Sequence, residues 1–542
     1  MRTTFRPLPV INVVKRNLFR DSIQLMRLTE DVKKLEGIED AVVAMGTDTN
    51  KRLLQDLGLL GKEGRGAGDG DLIMAVRAAG KVSGGEVMTR VEQMVMTPPA
   101  VSGGQKSPSF HSIRSALEQL PGANLAIVSV PGGQAFEPTM ELLRSGINVH
   151  LFSDHVPIDQ EVKLKTYASS NGLLVLGPGA GTSIINGVGL GFANSVRRGD
   201  VGIVASAGTG IQEATILLDR IGLGVSQALG VGGTDVTGEV GGVMMKDCLR
   251  LLEKDKGTRM IMIIAKAPKE KVMRDVMEYV AKKTTKPVVA CFLGLDSPPS
   301  HTERVVYAKT LHSAVSRAAQ VSGREAEREF NARVALSFEG LVKASKDLSS
   351  SLGPDRKHVR GLYSGGTLAH ETLLIFRELI GEAYSNTSLS DRFALRDPNL
   401  SRENSIVDLG DESFTSGRAH PMIDPTLRRL RIAQEATDRG VAAIILDVVL
   451  GYGSSPDPGG ALQKAISDAR TPKGKSGSLV VMAHVCGTES DPQSLKDQSE
   501  KLSGAGGVLF TSNALMAAAS ALLVGGDAAS ARLKTKWDDL LG

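Results

Sequence analysis

The sequence predicts an α/β protein built from several doubly wound, Rossmann-like or flavodoxin-like parallel sheets, with a small N-terminal α/β unit. Three observations lead to this prediction. Apolar runs of strand length alternate with patterns of helical period. Turns rich in glycine follow several of these runs, as at the carboxyl ends of parallel strands. A stretch of eight residues that joins a strand to a helix also occurs twice.

The repeated stretch has the composition of an anion site. Residues 206–213 read SAGTGIQE and residues 364–371 read SGGTLAHE, so four of the eight positions are identical. Each copy follows an apolar run and opens a pattern of helical spacing. A strand, a turn of small residues and a helix together present free backbone N–H groups at the positive end of a helix dipole. That point suits a phosphate or a carboxylate.

The segments after the two copies suggest an internal duplication. Each copy is followed by a loop, a helix, a buried strand, a helix and another strand, and the buried strands are expected at 259–265 and 441–450. The second copy has extra loop at 386–405 and 411–424. The alternative is that any α/β sheet repeats strand, turn and helix by necessity.

The elements before residue 97 predict a separate small unit, at 1–97. We expect strands at 10–14, 38–44 and 72–76, and helices at 21–35, 51–57 and 86–95. A linker dense in Pro, Gly and Ser at 97–108 marks the boundary. Beyond it, the pattern predicts doubly wound domains at 109–195, 196–330 and 355–542.

Composition excludes several classes of protein. The formal net charge of +4 is spread along the chain and aromatic residues are few, so we expect no nucleic-acid partner. Cys248, Cys291 and Cys486 lie far apart, which supports neither a disulfide framework nor a CxxC metal site. The N-terminus lacks the apolar core of a signal peptide, and we expect no membrane span. We therefore expect a cytoplasmic protein without a membrane partner.

Several motifs carry a resemblance to a known family. LAIVSVP (125–131), LLRSGI (142–147), LGP (176–178), VGIVASAGT (201–209) and GVGG (230–233) resemble the α subunit of succinyl-CoA synthetase in the same order. The second half, with DLG (408–410), is similar to the ligase domain of that enzyme's β subunit. The whole arrangement resembles the FdrA family, which SGGT (364–367), DLGD (408–411), HPMIDP (420–425) and CGTESDP (486–492) match.

The resemblance implies a CoA-binding-like Rossmann domain at 109–195 and succinyl-CoA synthetase-like ligase domains at 196–330 and 355–542. In the NDP-forming acyl-CoA synthetase superfamily, two phosphate-binding helix N-termini face each other and hold a phosphohistidine, and the residue that corresponds to Glu213 lies against it. This sequence departs from that pattern because it has no Gly-His-Ala-Gly motif. His301 or His312 would have to replace that histidine, and the other reading of both is a surface or helix-start residue.

Two further departures concern the cofactors. All residues from Arg360 onward are needed for the second ligase domain, so no segment remains for an ATP-grasp domain. The loop that would meet CoA phosphates corresponds to MGTDTN (45–50), which has one glycine and an aspartate. We assign no certain cofactor. CoA, and Mg²⁺ held by a substrate phosphate, are the candidates, and no cluster has convincing metal-ligand spacing.

The resemblance to the FdrA family implies an acyl-transfer enzyme subunit that acts on an acyl phosphate. The most concrete expectation is oxamate carbamoyltransferase of allantoin and purine catabolism, which interconverts oxalurate plus phosphate with oxamate plus carbamoyl phosphate. One alternative is an ADP-forming acyl-CoA ligase, like succinate–CoA ligase, whose ATP-grasp domain is a separate chain. A second is a non-catalytic scaffold or regulator. We expect a homo-oligomer or hetero-oligomer with other subunits.

The candidate site residues come from the two octets and the loops after them. For phosphate or substrate binding they are Ser206, Gly208, Thr209, Ser364, Gly365, Gly366, Thr367 and Asp408. For orientation or proton transfer they are Glu213, Glu371 and His420, although a loop histidine can also bond its own backbone. Asp408 and Asp411 can instead cap local turns. Lys266 and Asp447 end central strands, where ligands of such sheets are usually met.

Overall fold

A computed structural model describes residues 10–18, 22–33, 35–78, 84–96, 110–266, 268–295, 302–415, 418–471 and 478–542. These residues divide into two compact units. Unit 1 contains those before residue 110 together with Leu409–Leu430, and unit 2 contains the others. His301 lies outside the described residues.

The N-terminal part of unit 1 is a three-stranded antiparallel sheet with helices on both faces. The strands lie in the order β1-β3-β2. Alternate residues of β2 and β3 point to opposite faces, so each face has its own apolar core, one with Val43 and Val76 and the other with Val42 and Ala75. The elements are β1 (Val10–Lys15), α1 (Ser22–Lys33), β2 (Ile38–Met45), α2 (Asp48–Asp56), α3 (Lys62–Arg65), β3 (Leu72–Ala78) and α4 (Gly84–Met96).

Unit 2 begins with a small parallel sheet in the order β4-β5-β6. Leu151 of this sheet and Leu164 of an adjacent helix are buried in the same core as Leu249, which lies on a later helix. The elements are α5 (Ile113–Gln119), β4 (Leu125–Val128), α6 (Phe136–Arg144), β5 (Asn148–Leu151), α7 (Ile158–Ser170) and β6 (Val175–Leu176).

A seven-stranded sheet follows, in the order β13-β12-β11-β9-β10-β7-β8. Its first five strands pair in parallel, and the hairpin of β7 and β8 adds two antiparallel strands at one edge. The elements are β7 (Thr182–Ile185), β8 (Val188–Gly191), β9 (Arg198–Ser206), α8 (Gly208–Arg220), β10 (Val225–Gly230), α9 (Val243–Lys254), β11 (Met260–Lys266), α10 (Glu270–Lys283), β12 (Val288–Leu293), β13 (Val305–Ala308), α11 (Leu311–Ser322), α12 (Arg324–Arg333) and α13 (Phe338–Ser349).

The last sheet has five parallel strands in the order β15-β14-β16-β17-β18. Asp447 of β16 lies opposite His484 of β17 in this register. The elements are β14 (His358–Tyr363), α14 (Gly366–Leu379), β15 (Ser405–Asp408), α15 (Glu412–Thr415), α16 (Thr426–Glu435), β16 (Val441–Val449), α17 (Pro458–Arg470), β17 (Val480–Cys486), α18 (Leu495–Gly504), β18 (Val508–Phe510) and α19 (Asn513–Leu540).

The two larger sheets share one strand order. Counted from its own first strand, each parallel set has the order 2-1-3-4-5, which is the flavodoxin-like arrangement. This agreement supports the internal duplication and confirms the predicted fold class. In such sheets ligands bind outside the carboxyl ends of the first and third strands, where the strand order reverses. These positions are Ser206 and Lys266 in one sheet, and Tyr363 and the end of β16 in the other.

Helix α19 is long and apolar enough to cross a bilayer by length and composition, with a mean hydropathy of 1.4 over its most apolar window. In unit 2 this window is 61% buried. The helix packs against α13 and α14, and Gly526, at φ +56°, interrupts it. These contacts are those of a core helix.

Candidate functional site

Among the described residues, no acceptor binds the first backbone N–H groups of α8. Ser206 ends β9, Ala207 is extended, and α8 starts at Gly208 without a side-chain cap. Among the described residues, none accepts a hydrogen bond from the N–H groups of Gly208, Thr209 or Gly210, and the buried Ser206 Oγ has no partner. A Cβ on Gly208 would meet no atom closer than 3.8 Å. The first turn therefore offers donors and space to an anion.

The turn that precedes α14 is occupied by a carboxylate of the same chain. Asp447 is fully buried at the end of β16. Its oxygens accept hydrogen bonds from the N–H groups of Ser364 at 2.8 Å and Gly365 at 2.7 Å, and from Ser364 Oγ at 3.1 Å. Asp447 thus takes the place that an anion would take in front of this helix.

The two helix N-termini meet directly. The N–H of Thr367 donates to Thr209 Oγ1 at 3.1 Å. A Cβ on Gly365 would lie 2.9 Å from Thr209 Cγ2, and one on Gly210 would lie 3.2 Å from Thr367 Cγ2. The glycines are needed because the two backbones approach so closely. The structure therefore brings together the two octets that the sequence analysis singled out.

Lys266 and Asp408 flank this meeting point. A Cβ on Gly366 would lie 2.5 Å from Asp408 Oδ2 and 3.5 Å from Lys266 Nζ. His370, one turn further along α14, is buried and has no described partner for Nε2. Burial, followed by the positive charge of Lys266, lowers the pKa of His370 to about 3. His370 is therefore neutral near pH 7.

Glu213 and Glu371 lie behind the helix N-termini in a buried network. The side chain of Asn513 donates to Glu371 Oε2 at 2.7 Å, and the Asn513 N–H donates to Glu213 Oε1 at 3.1 Å. The N–H of Leu311 donates to Glu371 Oε1 at 2.6 Å. Burial, and then the charge of Glu213, raise the pKa of Glu371 to about 8. These glutamates hold the two halves of unit 2 together.

His484 is the partner of Glu213, and the sequence analysis does not single it out. Its Nε2 lies 2.6 Å from Glu213 Oε2 and its Nδ1 lies 3.1 Å from the carbonyl oxygen of Phe510. Burial alone would raise the pKa of Glu213, but His484, the Asn513 N–H and Arg220 together lower it. Both ring nitrogens then donate, because their partners are a carbonyl and an ionised carboxylate. The available signal was a polar residue inside an otherwise apolar strand.

The pair does not fit a metal site. Glu213, His484 and Cys486 each offer a ligand atom within 4.8 Å of the others. Both imidazole nitrogens are used, however, and the charge of half-buried Arg220 acts on the same carboxylate and thiol. Burial raises the pKa of Cys486 well above its ordinary value, so the thiol stays protonated. An ion pair explains the cluster without a metal.

The other predicted histidines are placed differently. His420 lies in unit 1, where its Nδ1 accepts the N–H of Met422 at 3.3 Å, and burial and then Arg428 lower its pKa to about 4. His312 lies in the first turn of α11, buried against Phe330, with Nδ1 2.8 Å from Ser512 Oγ. Asp411 also lies in unit 1, where it accepts the N–H and hydroxyl of Ser413 and caps a local turn.

Comparison with known proteins places the chain in a family. It is 39% identical over 502 residues to the uncharacterized protein YahF of Escherichia coli K12. The aligned region covers 92% of this chain and 96% of YahF. The chain belongs to the YahF family. The YahF-family chain is also 30% identical over 198 residues to the α subunit of the ADP-forming succinate–CoA ligase of Aquifex aeolicus, over 35% of this chain and 63% of that subunit. These matches confirm the predicted resemblance to succinyl-CoA synthetase.

Three family models match separate segments. Residues 362–523 match the CoA-ligase family, 196–294 match the CoA binding domain, and 9–109 match the AllF, heavy metal-associated domain. The CoA binding model matches residues within the predicted first ligase domain, 196–330. Which part of 109–330 is CoA-binding-like and which is ligase-like therefore stays a prediction. Residues 9–109 contain neither cysteine nor histidine, the ligands that soft metals prefer.

A solved structure overlaps part of the chain. The ATP citrate lyase of Methanothrix soehngenii, in complex with citrate and coenzyme A, is 22% identical and covers 41% of each chain with a TM-score of 0.32. The superposition is too poor to assign any site residue.

Proposed function

We propose that this YahF-family chain is a cytoplasmic subunit of an acyl-transfer enzyme that acts on a small acyl phosphate. The observation that carries the proposal is the open N-terminus of α8 beside that of α14. On the α8 side, the site has N–H groups without a described acceptor and Ser206 Oγ. On the α14 side, it has Lys266 and Asp408. Such fixed donors stabilise the charge that develops on phosphoryl oxygens without reorganisation.

The best concrete reaction is that of oxamate carbamoyltransferase. A phosphate oxygen would attack the carbamoyl carbon of oxalurate, the C–N bond to the oxamate nitrogen would break, and that nitrogen would take up a proton. Gly208, Thr209 and Ser206 would hold the phosphate, while Lys266 would face the organic carboxylate. This assignment rests on the resemblance to the FdrA family and on the contact between the helices. It requires no phosphohistidine.

An ADP-forming acyl-CoA ligase with a separate ATP-grasp subunit is the second candidate. The matches to CoA-ligase and CoA binding families favour it. The state of His484 counts against it, because the histidine that lies against Glu213 is buried and both its nitrogens are hydrogen-bonded. A phosphoryl group could reach neither nitrogen without breaking this pair.

Two substitutions at Gly208 test the proposed anion site. Gly208→Asp would place a carboxylate in front of the α8 N–H groups, where it favours the helix but repels phosphate. Gly208→Ala adds the same Cβ without charge and has room, since the nearest atom lies 3.8 Å away. We expect phosphate and carbamoyl phosphate to raise the unfolding temperature of the wild type and Gly208→Ala, and not that of Gly208→Asp.

The outcomes separate the candidates. A ligand at about a hundred times its dissociation constant adds roughly 2.7 kcal/mol of stability, which thermal unfolding detects. An equal phosphate shift in Gly208→Asp and the wild type would contradict the α8 site. Stabilisation by CoA, with none by carbamoyl phosphate, would favour the acyl-CoA ligase.

A further inference from the structure

A cavity of about 530 Å³ lies on the segment between α14 and β15, away from the residues of the proposed active site. Its size is within the range of small-molecule pockets. The residues that line it are Tyr384, Asp391, Arg392, Ala394, Arg396 and Arg402. All three arginines are exposed. This is the segment that the second half has in addition to the first.

The cavity carries an excess of positive charge. Asp391 is the one carboxylate among its lining residues, against three guanidinium groups. Within the described part of the chain, no residue forms an ion pair or a hydrogen bond with the side chains of Arg392, Arg396 or Arg402. Exposed arginines on this chain are elsewhere often paired along a helix, as Arg333 is with Glu329. The three guanidinium groups therefore retain their donors for a ligand.

Aromatic stacking orients two of the arginines. The guanidinium of Arg402 lies 5.1 Å from the centre of the Tyr384 ring, and that of Arg392 lies 5.5 Å from the centre of the Phe393 ring. The two rings pack on each other at 5.2 Å. Stacking uses the face of a guanidinium and leaves its edge free to donate two parallel hydrogen bonds. The stacked pairs therefore reduce the entropy lost when an anion binds.

Backbone hydrogen bonds hold this segment to the sheet. Tyr384 accepts from the N–H of Ile406 and donates to the carbonyl of Asn404, both at 2.8 Å. The N–H of Leu395 donates to the carbonyl of Ser385 at 2.9 Å. The cavity is thus built on an extension of β15 rather than on an unsupported loop.

We propose that this cavity binds a polyphosphate group, carried either by free polyphosphate or by a nucleoside triphosphate. Planar guanidinium groups bind phosphate oxygens in a bidentate manner. Three of them around one cavity match a ligand with several linked anionic groups, whereas a single carboxylate would leave two arginines unpaired. The site shares no residue with the helix N-termini, so its occupant adds to the proposed function and is separate from the acyl phosphate.

Calorimetric titration of the full chain at about 0.15 M salt tests the proposal, since at that salt weak surface attraction is largely screened. The probes are inorganic tripolyphosphate and ATP. The variants are Arg396→Ala with Arg402→Ala, and Arg402→Lys, which keeps the charge but loses the planar fork. Arg439→Ala is the matched control, because Arg439 is exposed in the same unit and outside the cavity.

We expect saturable binding that the double variant weakens about tenfold or more, Arg402→Lys weakens less, and Arg439→Ala changes by less than about twofold. Equal affinity for both probes assigns the site to a polyphosphate chain, and tighter ATP binding assigns it to a nucleotide. Gly208→Asp should leave this binding unchanged, which separates it from the acyl-phosphate site. Absence of saturable binding of both probes, or an equal loss in Arg439→Ala, would overturn the proposal.

Discussion

At the scale of single residues, the contact between His484 and Glu213 joins two segments that are far apart in the sequence. The residues are separated by 271 positions, yet their side chains lie 2.6 Å apart and fully buried. The role of Glu213 against a histidine was implied by the family resemblance. The sequence analysis did not identify that histidine, because His484 lies within β17, where periodicity indicates a strand and a single polar residue is a weak signal.

Glu213→Gln tests whether this pair is charged. Removing the carboxylate takes away the charged partner of the buried His484 ring, so we expect a loss of about 3 to 5 kcal/mol in the free energy of unfolding. Denaturant unfolding measures it. Glu270→Gln, on the exposed face of α10, should change stability by less than about 0.5 kcal/mol. A loss under about 1 kcal/mol for Glu213→Gln would instead mean a neutral pair.

At the scale of elements, both octets lie where the sequence predicts them, but the N–H groups near the two helix starts have different partners. Each lies between a strand and a helix N-terminus, as strand, turn and helix patterns indicated. The difference arises at the third strand of each sheet, which ends near Lys266 in one half and carries Asp447 in the other. The carboxylate of Asp447 therefore fills the turn before α14, whereas no described acceptor binds the first N–H groups of α8.

Asp447→Ala tests whether the carboxylate stands in for an anion. The substitution leaves the N–H groups of Ser364 and Gly365 without their acceptor, and we expect a loss of about 1.5 to 3 kcal/mol. Phosphate should restore part of that stability by binding to the vacated turn. Asp447→Asn, which fills the space with a neutral amide, should show no such recovery. Recovery of equal size in both variants would contradict this interpretation.

Some elements were not predicted. The hairpin of β7 and β8 is short, so the alternation of apolar and polar residues in its strands is weak. Its place in the sheet is fixed by the pairing of β7 with β10. Helix α19 contains a long alanine-rich stretch without a polar face, because it is buried against α13 and α14. In both cases tertiary contacts decide the element.

At the scale of the whole molecule, buried ionisable groups predict how the stability of unit 2 depends on pH. On the acid side, burial lowers the pKa of His150 and His312 to about 4 and that of His370 to about 3. The unfolded chain binds protons at these sites from about pH 6.5 downward, while the folded chain does not. The stability that these neutral histidines contribute is therefore fully present above pH 6.5 and is lost as the pH falls toward 4.

On the alkaline side, Glu371 has the opposite effect. Its folded pKa of about 8 lies above the unfolded value, so the folded chain holds a proton that the unfolded chain has released. Between pH 6.5 and 8 we expect stability to fall by up to about 1.4 kcal/mol per pH unit, and Glu371→Gln to remove that slope. Fluorescence of Trp537, the single tryptophan, reports unit 2. An unchanged slope in Glu371→Gln would assign it to other groups.

The sequence by itself determined the α/β class, the repeated strand, turn and helix, and the residues of both octets, because these depend on local periodicity and backbone geometry. Only the tertiary structure decided which groups meet. It placed Thr209 against Thr367, Asp447 in front of α14, His484 against Glu213 and three arginines around one cavity. Such contacts join residues far apart in the chain, and their energies depend on burial and on orientation, which no local pattern records.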